Sequence, residues 1–482
     1  MSQTDIADFE PVLADAMRQI ARHVEKEERG ETRASGYAPL GEILETLDVD
    51  GWIERGNMRR GSFNAFFQDY LTHSVQLHHP LHIAHQVSVP DYPAALAAAI
   101  NGFTNNPMAI YEMGPAAAAI EFAVINWMLS KVGWVPQPMH ASERGGEIGH
   151  AAGVLTHGGS LANLTCLLAA RARFAGDAWQ RGAPTDAALL VPPASHYSVA
   201  RAVGILGLGV DSIYELPADR FGVVQASDLK QAVQRVHGDG RRCMTIIANA
   251  CATATGLHDP LRAIGEFCER ENIWFHVDAC HGASALLSPD HRHYLDGIEL
   301  ADSIVWDTHK MLQVPALCAA VLFRDAHSFA DAFQQDASYL AYDRDVESYD
   351  SLPRAVECTK AALGFKVFMN LAWRGETALG EYVSDRYRAA HRFWQLIASQ
   401  PGFECPYEPE TNILCIRYGD DDAMQDWIRD ELVRTGQAHI TSAVVDGRRW
   451  LRLTVMNKLT DESTIRELLA LIEQTAQRYR GV

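Results

Sequence analysis

The amino-acid sequence predicts an α/β protein whose largest domain holds a mostly parallel sheet, and three observations support this prediction. Short apolar runs recur between about residues 150 and 325, often with a helical segment between them. The first hundred or so residues show amphipathic helical patterns without alternating strands. Long helical patterns and two strand-like runs close the chain. The predicted parts are an N-terminal helical arm (1–105), a large α/β domain (106–365) and a small C-terminal α+β domain (366–482).

Continuously apolar runs are the predicted strands of the large domain. Such runs, rather than alternating ones, are typical of parallel strands that helices cover on both faces. The runs are "AALLV" (187–191), "CMTIIANA" (243–250), "IWFHVDA" (273–279), "SIVW" (303–306) and "CAAVLF" (318–323). In the small domain the predicted strands are "TNILCIRYG" (411–419) and "RWLRLTV" (449–455).

Composition argues against several classes of function. The formal net charge is −19 and there is no basic block, which argues against nucleic acid or an anionic membrane as partner. Nine cysteines without a CxxC pair indicate reduced thiols. The N-terminus carries acids where a signal peptide needs basic and apolar regions, and Glu121 and Asn126 interrupt the most apolar window. We therefore predict a soluble cytoplasmic protein.

The candidate functional residues follow the predicted strands. In an open α/β sheet, ligands bind outside the carboxyl ends of the strands. The segments at these ends are "THGGS" (156–160), "PPASHYS" (192–198), "CATATG" (251–256), "DACHG" (278–282) and "DTHK" (307–310). We therefore analyse these segments together.

The glycine pair before Ser160 is a candidate phosphate site. Glycine lets a ligand approach the backbone closely, and the free amides of a helix start favour an anion. A glycine pair that serves only a tight turn is equally consistent with the pattern. The segment is neither a Walker loop nor a GxGxxG turn.

Three further residues have both a functional and a structural interpretation. Lys310 follows a buried-type strand, where a desolvated lysine has a lowered pKa and forms a Schiff base with an aldehyde; the alternative is an exposed surface lysine. Asp278 ends an apolar strand and suits a protonated pyridine nitrogen, or else caps the next helix. His196 either stacks on a flat cofactor or lies at a helix cap. The glycine pair, His196, Asp278 and Lys310 follow one another in this order along the chain, and together they favour pyridoxal 5'-phosphate.

These motifs carry a resemblance to a known family. With "ASHYS" (194–198), "HVDACHG" (276–282) and "DTHKML" (307–312) in order, the chain resembles the group II pyridoxal-phosphate amino-acid decarboxylases. These enzymes act on glutamate, cysteine sulfinate, 2,4-diaminobutyrate or aromatic amino acids. The resemblance implies a fold type I enzyme, pyridoxal 5'-phosphate as cofactor and an amino-acid substrate. It also implies a homodimer whose N-terminal arm wraps the partner.

The resemblance assigns a role to each matching residue of the cofactor site. Lys310 would bond the cofactor covalently, Asp278 would pair with its pyridine nitrogen, and His196 would stack on its ring. The residues that would lie near the phosphate or the ring oxygen are Gly159, Ser160, His309 and Thr253.

The resemblance also suggests substrate-binding and catalytic residues. Arg452 would bind the substrate α-carboxylate and Gln86 would lie at the substrate end of the pocket. Tyr349 would be the mobile-loop tyrosine that protonates the carbanion, with Tyr342 and Tyr339 as open alternatives. Gln86 and the segment 105–116 favour a polar or acidic substrate, while diaminobutyrate, an aromatic substrate or another pyridoxal reaction stays open.

Three residues depart from the family pattern. Asp307 stands where many relatives have asparagine near the phosphate, so its carboxylate either turns away or pairs with a histidine. Cys280 replaces a small apolar residue, and His281 stands where many relatives have an aromatic ring. His78, His82 and His85 have the helical spacing of metal ligands, but Pro80 interrupts the helix, and we predict no metal site.

Overall fold

The computed structural model of the protein describes residues 6–139, 149–334 and 349–480. Contacts divide the chain into two compact units. The sheet unit comprises Gln86–Arg388 and Pro409–Thr411, and the terminal unit comprises Met1–His85, Ala389–Glu408 and Asn412–Val482.

Helices and strands occur along the whole described chain. The helices are α1 (Ile6–Glu28), α2 (Leu40–Thr46), α3 (Val49–Arg55), α4 (Arg60–Thr72), α5 (Tyr92–Thr104), α6 (Pro115–Val132), α7 (Gly159–Phe174), α8 (Ala178–Arg181), α9 (Ser198–Ile205), α10 (Leu229–Gly238), α11 (Leu261–Glu271), α12 (His327–Ala332), α13 (Leu363–Ala398), α14 (Asp422–Thr435) and α15 (Glu462–Arg480). The strands are β1 (Ala152–Thr156), β2 (Ala187–Val191), β3 (Ile213–Glu215), β4 (Arg242–Asn249), β5 (Trp274–Asp278), β6 (Ser303–Asp307), β7 (Ala319–Phe323), β8 (Phe403–Glu404), β9 (Ile413–Tyr418), β10 (Thr441–Val445) and β11 (Arg448–Thr454).

The sheet unit is built around a mostly parallel sheet of seven strands, in the order β1-β7-β6-β5-β4-β2-β3. Strands β3, β2, β4, β5 and β6 are parallel to one another. Strand β7 is antiparallel to both β6 and β1. The expectation that "CAAVLF" is another parallel strand was therefore wrong. The reason is that β7 is buried at every position, so its apolar run does not distinguish the two orientations.

Helix α7 connects the sheet core to the predicted phosphate turn. Its N-cap, Gly158, has φ +101°, a conformation that favours glycine because residues with a Cβ rarely adopt it. The apolar face of α7, including Cys166 and Leu167, packs in one core with residues of β1, β2, β6 and β7. This packing holds the start of the helix beside the carboxyl ends of the central strands.

The terminal unit holds a smaller antiparallel sheet in the order β10-β11-β9-β8. Its core combines Ala34, Leu81 and Ile83 with apolar residues of β9, β11 and the C-terminal helices. Residues from the predicted N-terminal arm and the predicted C-terminal domain therefore share one core. The observed division differs from the predicted boundaries for this reason.

Helix α6 corresponds to the most apolar window of the sequence. Glu121 lies fully buried within it. Within the described ranges, no helix combines the length and apolar character that crossing a membrane requires.

Candidate functional site

The strand ends of the sheet unit line a cavity of about 290 Å³. Its walls come from the segments after β1, β2, β4, β5 and β6, as expected for an open α/β sheet. The lining residues are Gln86, His157, Gly158, Gly159, Ser160, His196, Ser198, Cys251, Thr253, Asp278, Cys280, His281, Asp307, His309, Lys310 and Leu317. The structure thus brings together every predicted site residue except Tyr349 and Arg452.

The glycine pair packs tightly against two neighbouring strand ends. A Cβ atom placed on Gly159 would lie 2.6 Å from Cys280 Sγ and 3.1 Å from a carboxylate oxygen of Asp307. No residue larger than glycine fits there without displacing its neighbours. Beside it, α7 opens and leaves the amides of its first turn free of intrahelical partners, which is a suitable environment for a phosphate.

Asp278 is held by a hydrogen-bond network behind the cavity. Its Oδ2 accepts from Asn163 Nδ2 at 2.9 Å, and its Oδ1 accepts from the Cys280 amide at 3.2 Å. Burial alone would raise the pKa of Asp278, but hydrogen bonds from the side chains of Cys280 and Asn163 and the charge of Lys310 hold the pKa below its usual value. The side chain is therefore a buried carboxylate that suits a cationic partner.

The network also includes His276 and His196, and the donor and acceptor of each hydrogen bond of Asn163 can be assigned. Because the carboxylate only accepts, Asn163 presents its amide to Asp278 and its carbonyl to His276 Nε2 at 3.0 Å. Burial lowers the pKa of His276 to about 4, so this imidazole is neutral with its proton on Nε2. The Asn163 amide also donates to Ser198 Oγ at 3.0 Å.

Ser198 continues the network to the cavity wall. Its hydroxyl lies 2.8 Å from His196 Nδ1, and its backbone amide also points at that nitrogen, which is therefore the acceptor. Burial lowers the pKa of His196. The ring is thus neutral and carries its proton on Nε2.

Sequence reasoning missed Asn163, Ser198 and His276. A signal was present for Asn163, because it interrupts the apolar face of α7 and is fully buried. A buried amide needs partners. Which partners it has depends on residues 35 to 115 positions away in the chain, and the sequence pattern does not contain this information.

Lys310 forms an ion pair with Asp307, the first departure from the family pattern. Lys310 Nζ lies 3.0 Å from Asp307 Oδ2, and His309 Nε2 lies 3.8 Å from the same oxygen. Burial would lower the pKa of Lys310, but the carboxylates of Asp307 and Asp278 raise it above its usual value. The expected lowering of this pKa was therefore wrong, since the sequence did not indicate the pairing with Asp307.

The other departures change the walls of the cavity without adding charge. Burial, with Asp278 and Asp307 nearby, raises the pKa of Cys280 well above its usual value, so the thiol stays protonated. His281 is buried. His309 Nδ1 donates to the carbonyl oxygen of Cys318 at 2.8 Å, which fixes the orientation of its ring.

Comparison with known proteins assigns the family. The pyridoxal-dependent decarboxylase conserved domain matches residues 64–419, well over half of the chain. The chain belongs to the pyridoxal-dependent decarboxylase family. It is an enzyme that uses pyridoxal 5'-phosphate to remove the carboxylate of an amino acid as carbon dioxide.

Several named decarboxylases are similar to this chain. Acidic amino acid decarboxylase GADL1 from Mus musculus is 28% identical over 86% of this chain and 74% of its own. Cysteine sulfinic acid decarboxylase from Mus musculus is 31% identical over 85% of this chain and 82% of its own. The crystal structure of mouse CSAD superposes with a TM-score of 0.89 at 25% identity, covering 98% of this chain and 99% of that one. The fold type I α/β architecture is thereby confirmed.

The residues of the cavity fit the cofactor of this decarboxylase. The glycine cradle and the helix start suit a phosphate, and Asp278 suits a protonated pyridine nitrogen. Among the described residues that line the cavity, Lys310 supplies the only lysine amine. This donor set corresponds to the groups that pyridoxal 5'-phosphate presents.

Tyr349 lies away from the cavity, in the core of the sheet unit. It is 4% exposed, and its hydroxyl donates to the Gly153 carbonyl oxygen at 2.7 Å. Its ring packs against Phe122 and the guanidinium of Arg354. This burial and the hydrogen bond to β1 argue against the predicted mobile-loop role of Tyr349. The alternatives Tyr339 and Tyr342 lie outside the described residues.

Arg452 lies on β11 in the terminal unit, where it is 6% exposed and pairs in register with Cys415. Gln86 and Thr253 line the cavity of the sheet unit.

The histidines of the 78–85 segment were considered above as metal ligands. Within the described ranges, no three His, Cys, Asp or Glu side chains are arranged to hold a metal ion.

Proposed function

We propose that this decarboxylase acts on an amino acid with a polar or acidic side chain, using the cavity that contains Lys310 and Asp278. The observation that carries the proposal is the convergence of a lysine amine, a buried carboxylate, a histidine ring and a glycine cradle in one cavity. We further propose that the enzyme is cytoplasmic, which its scattered cysteines support, and that it is a homodimer, as the family resemblance implies.

The cofactor, when bound, provides a conjugated ring that accepts the electrons left by the departing carboxylate. In our proposal, Lys310 bonds the cofactor covalently and Gly159 and Ser160 bind its phosphate. Asp278 stabilises a proton on the pyridine nitrogen, and the neutral His196 covers the ring. Arg452 binds the substrate α-carboxylate, and Thr253 and His309 complete the cofactor site.

The names of the relatives support a polar or acidic substrate. Acidic amino acid decarboxylase GADL1 and cysteine sulfinic acid decarboxylase both align over most of the chain. Gln86 supports the same class, because an amide can donate hydrogen bonds to a carboxylate or sulfinate.

Diaminobutyrate is the second candidate substrate. L-2,4-diaminobutyrate decarboxylase from Rhizobium meliloti is 28% identical over 89% of this chain and 84% of its own. This candidate has a positively charged side chain, whereas an acidic substrate has a negatively charged one.

A substrate panel tests the proposal. We expect purified enzyme with pyridoxal 5'-phosphate to release carbon dioxide and the matching amine from aspartate, glutamate or cysteine sulfinate. The panel also contains 2,4-diaminobutyrate and the aromatic amino acids. Release from diaminobutyrate alone would favour the second candidate, and release from aromatic substrates alone would contradict both.

A matched pair of lysine variants controls the panel. Lys310→Ala should abolish turnover and leave no covalently bound cofactor. Lys230→Ala, which changes an exposed lysine on α10, should leave both unchanged. Turnover that survives in Lys310→Ala would contradict the proposed role of this residue.

Tyr349→Phe is expected to change stability rather than catalysis. Removing the buried hydroxyl leaves the Gly153 carbonyl without this donor, so the free energy of unfolding should fall by about 1 kcal/mol. The kcat should stay within about twofold of wild type, since mutations at residues that do not contact substrate mainly act on stability. Urea denaturation and steady-state kinetics measure the two effects.

Tyr339→Phe and Tyr342→Phe are the comparison variants for this prediction. We expect one of them to lower kcat and the other to resemble wild type. A large loss of kcat in a stably folded Tyr349→Phe would restore the first assignment.

A further inference from the structure

The Asp307 carboxylate contacts the cofactor-binding lysine and is otherwise poorly satisfied. Its side chain is 3% exposed, and one oxygen, Oδ2, lies 3.0 Å from Lys310 Nζ. The other oxygen, Oδ1, is buried and has no hydrogen-bond partner within the described ranges. A buried carboxylate in this state depends on the lysine charge for its stability, because an unpaired ion is costly to bury.

The groups around this pair do not replace Asp307 as the partner of Lys310. From the end of β5, Cys280 presents a protonated thiol, and Asp278 is occupied by Asn163 and the Cys280 amide. His196, before α9, is held neutral by burial, which lowers its pKa. His309 lies 3.8 Å from Asp307, beyond hydrogen-bonding distance.

Only the neutral form of a lysine amine can attack an aldehyde. A carboxylate in direct contact favours the ammonium form instead. We propose that Asp307 is a positioning residue that holds Lys310 as an ammonium ion whenever the lysine is not bonded to the cofactor. This inference rests on the proposed role of Lys310 as the residue that bonds the cofactor.

The consequence concerns the exchange between substrate and lysine. The substrate enters as an ammonium ion, and its nitrogen bonds to the cofactor carbon that Lys310 leaves. Each nitrogen carries three protons as an ammonium ion and one while it is bonded to the cofactor carbon, so the two protons that the substrate nitrogen loses end on the Lys310 nitrogen, and atoms and charge balance. Because Asp307 stabilises the resulting ammonium, it favours the substrate-bound state and slows the return of Lys310 to the cofactor.

The test measures covalent attachment to the cofactor-free enzyme rather than turnover. Wild type and Asp307→Asn are mixed with pyridoxal 5'-phosphate or with pyridoxal, which lacks the phosphate, over a range of pH. Borohydride stops each reaction, and mass spectrometry measures the label on Lys310. We expect Asp307→Asn to attach both aldehydes about 10 to 10³-fold faster near neutral pH, since a neighbouring opposite charge shifts a pKa by one to three units.

The two aldehydes separate this proposal from repulsion of the phosphate. Acceleration with pyridoxal 5'-phosphate alone would show that Asp307 acts on the phosphate and would overturn the proposal, as would no acceleration with either. A wild-type label on another residue would refute both the proposed function of Lys310 and this inference. If Lys310 is labelled at the same rate in wild type and in Asp307→Asn, the inference is refuted but the proposed function of Lys310 is not.

Two controls separate the electrostatic effect from a folding defect. Asp296→Asn removes an exposed carboxylate that pairs with Arg262, and its attachment rates should equal those of wild type. Acetylation of Lys310 by acetic anhydride without cofactor titrates the amine directly. Its pH midpoint should be lower in Asp307→Asn than in wild type, and an unchanged midpoint would contradict the proposal.

Discussion

Asp278→Asn is expected to lower the kcat for decarboxylation by about 10² to 10³-fold, the range typical of losing one preorganised electrostatic group. The substitution is close to isosteric, and an asparagine carbonyl can still accept from Asn163 at the position where Oδ2 now accepts at 2.9 Å. What is lost is the negative charge. In the proposed pairing, the pyridine nitrogen of the cofactor would then be less readily protonated, and the ring would accept electrons less well.

The pH dependence of this variant provides a second measurement. Because the pKa of Asp278 lies below its usual value in the folded protein, its carboxylate stabilises the fold above the unfolded pKa and loses this effect as pH falls through the folded pKa. Asp278→Asn should therefore lose more stability near neutral pH than in acid. Denaturation followed across the acidic range measures this difference.

A second buried carboxylate serves as the control for Asp278. Asp259 does not line the cavity; it accepts from the amides of Asn249 and Val224 at 2.7 and 2.9 Å. Asp259→Asn should destabilise the protein by about 1 to 3 kcal/mol, because one amide loses its acceptor, and should leave kcat unchanged. Equal loss of kcat in both variants would attribute the Asp278 effect to folding.

The parts of the site that sequence predicted are those determined locally. Gly159 and Ser160 follow an apolar run, and Asp278 and Lys310 lie at or just after the ends of β5 and β6. The rule that ligands bind at strand ends brings these residues together without further information. Strand positions were predicted for the same reason, since a continuous apolar run is a local property.

Sequence was insufficient where contacts between distant residues decide the outcome. The orientation of β7 depends on its pairing with β6 and β1 and not on its composition. The burial of Tyr349 depends on Gly153, 196 positions earlier in the chain. The raised pKa of Lys310 depends on the direction in which the Asp307 side chain turns.

Lys360→Met is expected to destabilise the sheet unit by about 3 to 5 kcal/mol, the usual cost of leaving one partner of a buried ion pair uncompensated. Lys360 Nζ lies 2.6 Å from both carboxylate oxygens of Glu121, and the two side chains are 1% and 0% exposed. Glu121 is the acid that interrupts the apolar window of α6. It also accepts the Leu155 amide of β1 at 3.1 Å, so it connects the helix to the sheet.

Removing both charges should restore most of the lost stability. Glu121→Gln combined with Lys360→Met leaves no buried charge and keeps an amide oxygen that can accept from Leu155. Lys131→Met, which breaks a partly exposed pair with Glu376, should cost less than about 1 kcal/mol. Shifts in the urea midpoint measure all three variants. A double variant as unstable as Lys360→Met would mean that side-chain packing, rather than unpaired charge, explains the loss.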